Sequence, residues 1–314
     1  MLNSQRAFVE IVRKYCSEHG ISIEQRSQGW LIVMERGSQR RFAFGYDLGL
    51  NSAVSHRIAN DKAATTEVLQ LSNIPCIPHT LFLSPKLTAY VAPQRSWEGM
   101  LRLLRDHPGG IVVKPNEGTS GESVHRVSTE PELELAVHEI FSSSLGLAIS
   151  PYMEIEEEVR VVLLDDLPIV VYSKQRPSVV GDGKHSVREL LLEGIPPEKY
   201  ARVLAGVIDN PDKVDLNAIP PLGRRVVVNW RHNLDSGASP LLLEQGEIRE
   251  ACIGIAREAA KAINIRFGSI DVVSVNGVWK ILEINSGVMM EALSESHPEL
   301  VHAAYSAALD KVFG

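Results

Sequence analysis

Residues 268–287 read GSIDVVSVNGVWKILEINSG, and this stretch decides the fold. Two apolar, alternating runs flank Asn276-Gly277. Asn-Gly is strong hairpin chemistry, because both central residues of a type I′ turn need positive φ. The spacing predicts a β-hairpin that brings Asp271 back beside Glu283 and Asn285. Glu283 and Asn285 are two apart, so they share one strand face. The hairpin then offers oxygen ligands from Asp271, Glu283 and Asn285 at one point. That set suits hard Mg2+ bound together with the phosphates of a nucleotide. Acids at strand ends are also commonly just solvated, so this stretch alone leaves both readings open.

The whole chain narrows the choice. Its 314 residues are 44% hydrophobic and 23% charged. That is an ordinary globular composition, long enough for several packed layers or lobes. A net charge of −7 and a pI near 5.8 go with no basic stripe, which argues against a nucleic-acid partner. One cationic pocket remains compatible with that balance. Cys16, Cys76 and Cys252 lie far apart with no CxxC, which argues against a disulfide framework or zinc site and fits a reducing cytoplasm. The opening MLNSQRAFVEIVRKYC lacks the pattern of a signal peptide. No apolar run reaches the ~18 residues of a membrane span. No internal repeat or low-complexity tract is present.

Read in order, residues 3–19 predict an amphipathic helix ended by Gly20, and three short strands follow by residue 46. Residues 47–60 predict a polar loop running into a helix over 61–72. Ile111–Lys114 reads as a buried strand ending on a lysine. The loop that follows, 116–123, carries Gly118 and Gly121 among small hydroxyls. It could cradle phosphate through backbone N–H groups or be a plain Gly-rich hairpin. Residues 154–158 hold four glutamates and predict an acidic turn before a strand over 159–164. Arg160 interrupts that apolar strand and should face a cleft or pair with an acid. Ser186 and Glu189 predict a capping box. Residues 229–239, NWRHNLDSGAS, are a polar loop rich in donors. A long amphipathic helix over 244–264 precedes the hairpin, and another helix over 297–313 ends the chain.

Taken together, these motifs resemble the ATP-grasp superfamily of carboxylate–amine ligases. The likeness is strongest to the ligase module of cyanophycin synthetase and extends to the glutathione-synthetase half of the bifunctional glutathione enzyme. It rests on Asp61-Lys62-xx-Thr65 with Asn73-Ile74-Pro75, Val113-Lys114-Pro115 with Gly118 and Gly121, Glu158-Val159-Arg160-Val161, and Arg176–Gly183 followed by Ser186-Val187-Arg188-Glu189-Leu190. It also rests on Asn233-Leu234-xx-Gly237, Ile270-Asp271-Val272-Val273 and Glu283-Ile284-Asn285. These blocks keep their order over roughly residues 45–300.

The resemblance implies an α+β, ATP-grasp fold: two α+β lobes gripping ATP, behind a small N-terminal α/β pre-domain. The expected division is a pre-domain over 1–60 and an ATP-grasp domain over 61–314, with a flap lobe near 110–155. The implied reaction phosphorylates a carboxylate with ATP, then forms an amide when an amine displaces the phosphate. Amino acids or short peptides, with an amine acceptor, are the implied substrates. Alternatives are a phosphotransferase, a ligase with a non-amino-acid acceptor, or a non-catalytic nucleotide-binding regulator. ATP and Mg2+ are the implied cofactors, with Mn2+ as a substitute. Members of the family are commonly dimers, so a homodimer is the implied assembly.

Carried over by position, Lys62 and Lys114 would touch the ATP phosphates, and a flap including Glu117, Gly118, Ser120 and Gly121 would cover them. Ile149, Pro151, Tyr152 and Met153 would line adenine, and Glu158 would bind the ribose. Asp271, Glu283 and Asn285 would hold the metal. Arg160, Lys174, Arg176 and Arg231 are candidates for the acylphosphate and substrate carboxylate, since a guanidinium fork matches a carboxylate. Asn233 and Gly237 would lie near the transferred phosphate or the acceptor, and Ser52, Ser55 and His56 would shape a substrate pocket. Two positions depart from relatives. Pro151 lacks an N–H, so the adenine contact must use other backbone groups, and Ser269 stands where some relatives have arginine.

Overall fold

The chain packs into two units, one of Met1–Leu81, Glu154–Tyr172 and Leu243–Gly314, the other of Phe82–Met153 and Ser173–Leu242. The structure, a computed structural model, describes residues 6–90, 96–118, 121, 123–195, 197–208 and 214–314.

The first unit begins with α1 (Ala7–Glu18), which stops where Gly20 takes φ 64°. Strands β1 (Ser22–Arg26), β2 (Leu31–Arg36) and β3 (Gln39–Phe44) then form an antiparallel sheet. The polar stretch expected as a loop holds a helix of its own, α2 (Ala53–Asn60), before α3 (Lys62–Leu71). Local capping makes the difference. Ser52 Oγ accepts the Ser55 N–H, and extended Asp61 accepts the Ala64 N–H at 2.8 Å. A capping residue needs non-helical backbone, so Asp61 ends one helix by starting the next.

Chain order then enters the second unit. Strands β4 (Thr80–Leu83), β5 (Ile111–Pro115), β6 (His125–Val127) and β7 (Gly146–Pro151) form a sheet in the order β4-β7-β5-β6. Helices α4 (Trp97–Asp106) and α5 (Glu130–Ser143) accompany it. Phe82, Ile111, Val113, Leu133, Ile140, Leu147 and Ile149 make its core. Full burial of such side chains is worth about 1.5–3 kcal/mol each.

β8 (Glu157–Leu164) returns to the first unit, and β9 (Leu167–Gln175) leaves it again after Tyr172. The acidic turn is therefore shorter than expected, because Glu157 and Glu158 already belong to β8. β10 (Ser178–Val180), α6 (Val187–Gly194), α7 (Pro197–Ile208) and β11 (Arg225–Val227) follow, with β10 and β11 paired over a small core of Val179, Val187, Leu191, Val203, Val207 and Val228. The Ser186–Glu189 capping box forms as expected. β12 (Ser239–Leu242) ends this unit.

The first unit closes with α8 (Glu247–Ala262), β13 (Phe267–Val275), β14 (Val278–Asn285), α9 (Glu291–Ser294) and α10 (Pro298–Phe313). Asn276 and Gly277 take φ 52° and 70° and join β13 directly to β14. β13 pairs antiparallel with both β14 and β8, and β9 lies beyond β8. One face of these strands carries Val159, Val161, Leu163, Ile270, Val272, Ile281 and Ile284. It packs with Cys252, Ile253, Ala256 and Ala259 of α8. Strand alternation then obliges the residues between them to point the other way.

Candidate active site

That other face carries the chemistry of the first unit. The pairing sets Arg160 of β8 opposite Asp271 of β13, and Asp271 opposite Glu283 of β14. Ser269 lies opposite Asn285, and Glu158 opposite Val273. A bulge after Asp271 absorbs one extra residue of β14, so both polar pairs and the apolar back keep their faces. The hairpin therefore brings Asp271, Glu283 and Asn285 together, as the Asn-Gly turn predicts. The Asn285 Nδ2–H donates to Glu283 Oε1 at 3.3 Å.

Arg160 completes the row. Its Nε and one terminal nitrogen donate to the two Asp271 oxygens, each at 2.7 Å. Asp271 is fully buried and Arg160 is 9% exposed. Burial is the largest single influence and works against the Arg160 charge, but Asp271, Tyr172 and Glu283 together outweigh it, and the guanidinium pKa is pushed up. Of the two sequence expectations for Arg160, pairing with an acid is the one realised. The row thus sets the carboxyl groups of Asp271 and Glu283 side by side, with the Asn285 amide next along β14.

This donor set fits Mg2+. Mg2+ is usually bound through one or two carboxylates plus phosphate oxygens rather than by an all-protein cage. Among the described residues no group of three or more His, Cys, Asp or Glu is placed to hold a metal. The bidentate fork leaves each Asp271 oxygen a further lone pair.

The end of β14 also meets α2. Ser286 Oγ lies 2.9 Å from His56 Nδ1, which is 3.0 Å from Asp47. Asn60 Nδ2 donates to His56 Nε2 at 3.0 Å, which leaves the imidazole proton on Nδ1. Ser52 and Ser55 hydroxyls meet at 2.9 Å on the same helix. Of the three substrate candidates of this segment, His56 is joined to the end of β14 through Ser286 and Asn60, which sequence reasoning missed, while Ser52 and Ser55 pair with each other at the start of α2. Gly237 belongs to the second unit, where it takes φ 95° against Val203. Lys62 is the first residue of α3.

The second unit collects cations and donors. Lys114, nearly buried, lies opposite Ala148 in the β5–β7 pairing. Ile149 and Pro151 are within β7, opposite Val113 and Ile111. Tyr152 follows, its N–H donating to the Gly110 carbonyl at 3.0 Å, so this amide is committed within the unit. Arg126 lies over the Tyr152 ring at 3.7 Å, and Tyr152 meets Trp230 edge to face at 5.8 Å. In the loop 116–123, Gly118 and Gly121 take positive φ, while Ser120 lies outside the described residues. A Cβ on Gly121 would sit 2.2 Å from Asn233 Nδ2. Asn233 cannot yield easily, because its Oδ1 accepts the Asp235 N–H at 2.8 Å.

Lys174 and His232 are buried, and Arg176 is close enough to act on the same imidazole. Burial first, then Arg176 and Lys174, lower the His232 pKa to about 3. His232 is thus a neutral imidazole beside two cations. Its place between Arg231 and Asn233 in a donor-rich loop is the signal that could have singled it out. Arg231 lies over the Trp230 ring at 5.6 Å.

The architecture is the ATP-grasp fold, an α+β arrangement of helices and largely antiparallel sheets. No protein-family model matches the chain, and no curated protein matches it in sequence. Solved structures do. A bifunctional glutathione synthetase from Pasteurella multocida matches 92% of this chain and 41% of its own, with TM-score 0.54 and 17% identity. A D-alanine–D-alanine ligase from Bacillus anthracis matches 84% of this chain and 69% of its own, with TM-score 0.53 and 17% identity. A D-Ala:D-Ser ligase from Enterococcus faecalis matches 84% of this chain and 63% of its own, with TM-score 0.53 and 15% identity. The chain thus spans less than half the length of the glutathione enzyme it resembles. Among the described residues no helix is long and apolar enough to cross a membrane.

Proposed function

We propose that this protein is an ATP- and Mg2+-dependent carboxylate–amine ligase that joins an amino acid or short peptide to an amine through an acylphosphate. The observation that carries the reading is the row Arg160–Asp271–Glu283 with Asn285 on one sheet face. A carboxylate is a poor electrophile, and phosphorylation gives it a leaving group. Phosphoryl transfer asks a protein mainly for positioning and charge neutralisation. The names of the structural neighbours, all ligases, support this class.

In this reading Lys62 and Lys114 contact the phosphates, and the loop from Glu117 to Gly121 covers them. Ile149 to Met153 receive adenine, and Glu158 receives the ribose. Asp271, Glu283 and Asn285 would hold Mg2+, which would supply charge neutralisation and Lewis-acid chemistry there. Arg160 orients Asp271 through its bidentate fork, and its role toward the transferring phosphoryl group is part of this proposal. Lys174, Arg176 and Arg231 bind the acyl phosphate and the substrate carboxylate. Neutral His232 offers a hydrogen bond there without adding a fourth charge. Asn233 positions the loop that closes on them, and Ser52, Ser55 and His56 shape the pocket for the second substrate. We take residues 1–60 as the pre-domain and 61–314 as the catalytic part. The unpaired Cys16, Cys76 and Cys252 support a cytoplasmic setting.

The test is phosphate release from Mg-ATP across amino acids, singly and in pairs, with mass spectrometry of products. Release that depends on a pair, with a product one water lighter than its two reactants, supports the ligase. Release with one acid alone indicates an acylphosphate awaiting another acceptor. Tight Mg-ATP binding without release from any acid or dipeptide would replace the ligase by a regulator.

A further inference from the structure

The loop that carries Arg231, His232 and Asn233 is shaped by its own turns and bounded at its two ends by a neighbouring helix. Asn229 Oδ1 accepts the Arg231 N–H at 3.1 Å and fixes the chain at its start. This orientation sends the Asn229 amide nitrogen the other way, into the fold. Asn229 is fully buried, and that nitrogen has no hydrogen-bond partner among the described residues. It faces α7, where a Cβ on Gly206 would lie 2.5 Å from it. An unsatisfied buried donor is costly, so its retention calls for a reason.

Gly206 sharpens the point. It sits inside a helix, where alanine is the better residue by about 1 kcal/mol. Its φ is not in the left-handed region, so backbone conformation does not demand glycine. Space does. The far end of the loop shows the same closeness, since a Cβ on Gly237 would meet Val203 of α7 at 2.7 Å. Helix α7 therefore bears on both ends of the segment 229–237.

We propose that Asn229 is a positioning residue for Arg231, and that α7, through Gly206 and Val203, sets where the anion-binding loop stands and so which acids it accepts. The acid-binding part rests on the ligase reading above. The positioning part does not.

Two readouts separate them. In the ligand-free protein, hydrogen exchange of the Arg231 amide reports the Asn229 contact directly. Gly206→Ala pushes the amide of Asn229 and should speed that exchange about tenfold or more, as should Asn229→Val, which lacks the acceptor. Asn229→Ser keeps a shorter acceptor two residues before Arg231, the geometry of a Ser turn, and should stay slow. The double variant Gly206→Ala/Asn229→Ser has room for the new methyl and should recover slow exchange. In turnover, Gly206→Ala should raise KM for the acid about tenfold with KM for ATP unchanged, and the double variant should restore it. Equal exchange in all four variants overturns the positioning role, as does a double variant no better than Gly206→Ala. Should Gly206→Ala fail to fold, fast exchange in Asn229→Val against slow exchange in Asn229→Ser supports the role and equality overturns it. If the exchange pattern holds but no acid is ever ligated, the ligase reading fails and the positioning role stands.

Discussion

Two groups of functional candidates, one on strands of the first unit and one in a loop of the second, are built in opposite ways. In the first unit, Arg160, Asp271, Glu283 and Asn285 stand on strands, and strand alternation aims each of them. In the second, Arg231, His232 and Asn233 stand on a loop, and other parts of that unit hold the loop in place: Gly121, Gly206, Val203 and Tyr152. The strand half is anionic with one paired cation, while the loop half gathers Lys174 and Arg176 around a neutral imidazole. The contrast teaches where each half is vulnerable. The strand half fails when a charge loses its partner, and the loop half fails when a neighbour grows.

The largest effect is expected on the strand side. Arg160→Leu removes both charge-assisted hydrogen bonds to buried Asp271, so stability should fall by about 3–5 kcal/mol. The double variant Arg160→Leu/Asp271→Leu should recover most of that in urea unfolding. A double variant no more stable than the single would show that Arg160 acts through packing instead. Glu283→Ala should leave the fold intact while turnover drops by about 10²–10³. Normal turnover in that variant would sink the metal assignment.

Gly121→Ala tests the loop side. The added methyl meets Asn233, and φ 68° disfavours any L side chain, so stability should fall by about 1 kcal/mol and turnover by about tenfold. An unchanged KM and kcat would show that the approach to Asn233 plays no part. Gly277→Ala is the matched control on the strand side. It strains the hairpin turn at φ 70°, so about 1 kcal/mol of stability is lost with little change in turnover, provided that the strands hold their register.

The most gradual effect is a pH dependence, spread over several pH units. The folded pKa of His232 lies below its unfolded value, so the unfolded chain binds more protons in that interval. The contribution of His232 is fully present above about pH 6.5 and declines as pH falls from there towards about 3. His232→Gln should flatten that part of the stability profile in unfolding titrations. An identical slope in the variant would mean that other groups carry it.

Much of the strand half was legible beforehand because its rules are local. Asn276-Gly277 demands a two-residue turn, that turn sets the register, and period-two alternation puts Glu283 and Asn285 on one face. The partner of Arg160 could not be named, because it depends on β8 lying next to β13, far along the chain. Helix α2 was missed because the helix start expected at residue 61 is set by an aspartate that also ends α2, which composition does not reveal. His232 was missed because its neutrality comes from burial beside Lys174 and Arg176, not from its own neighbours in sequence.

By itself the sequence determined the hairpin, the faces of its strands and the residue types a metal–nucleotide site requires, since turn chemistry and alternation act over a few residues. Only the tertiary structure decided which charge Arg160 answers, which imidazole stays neutral and why Gly206 is not alanine. Those outcomes depend on what lies across a few ångströms of space, and that distance is set by packing rather than by separation along the chain.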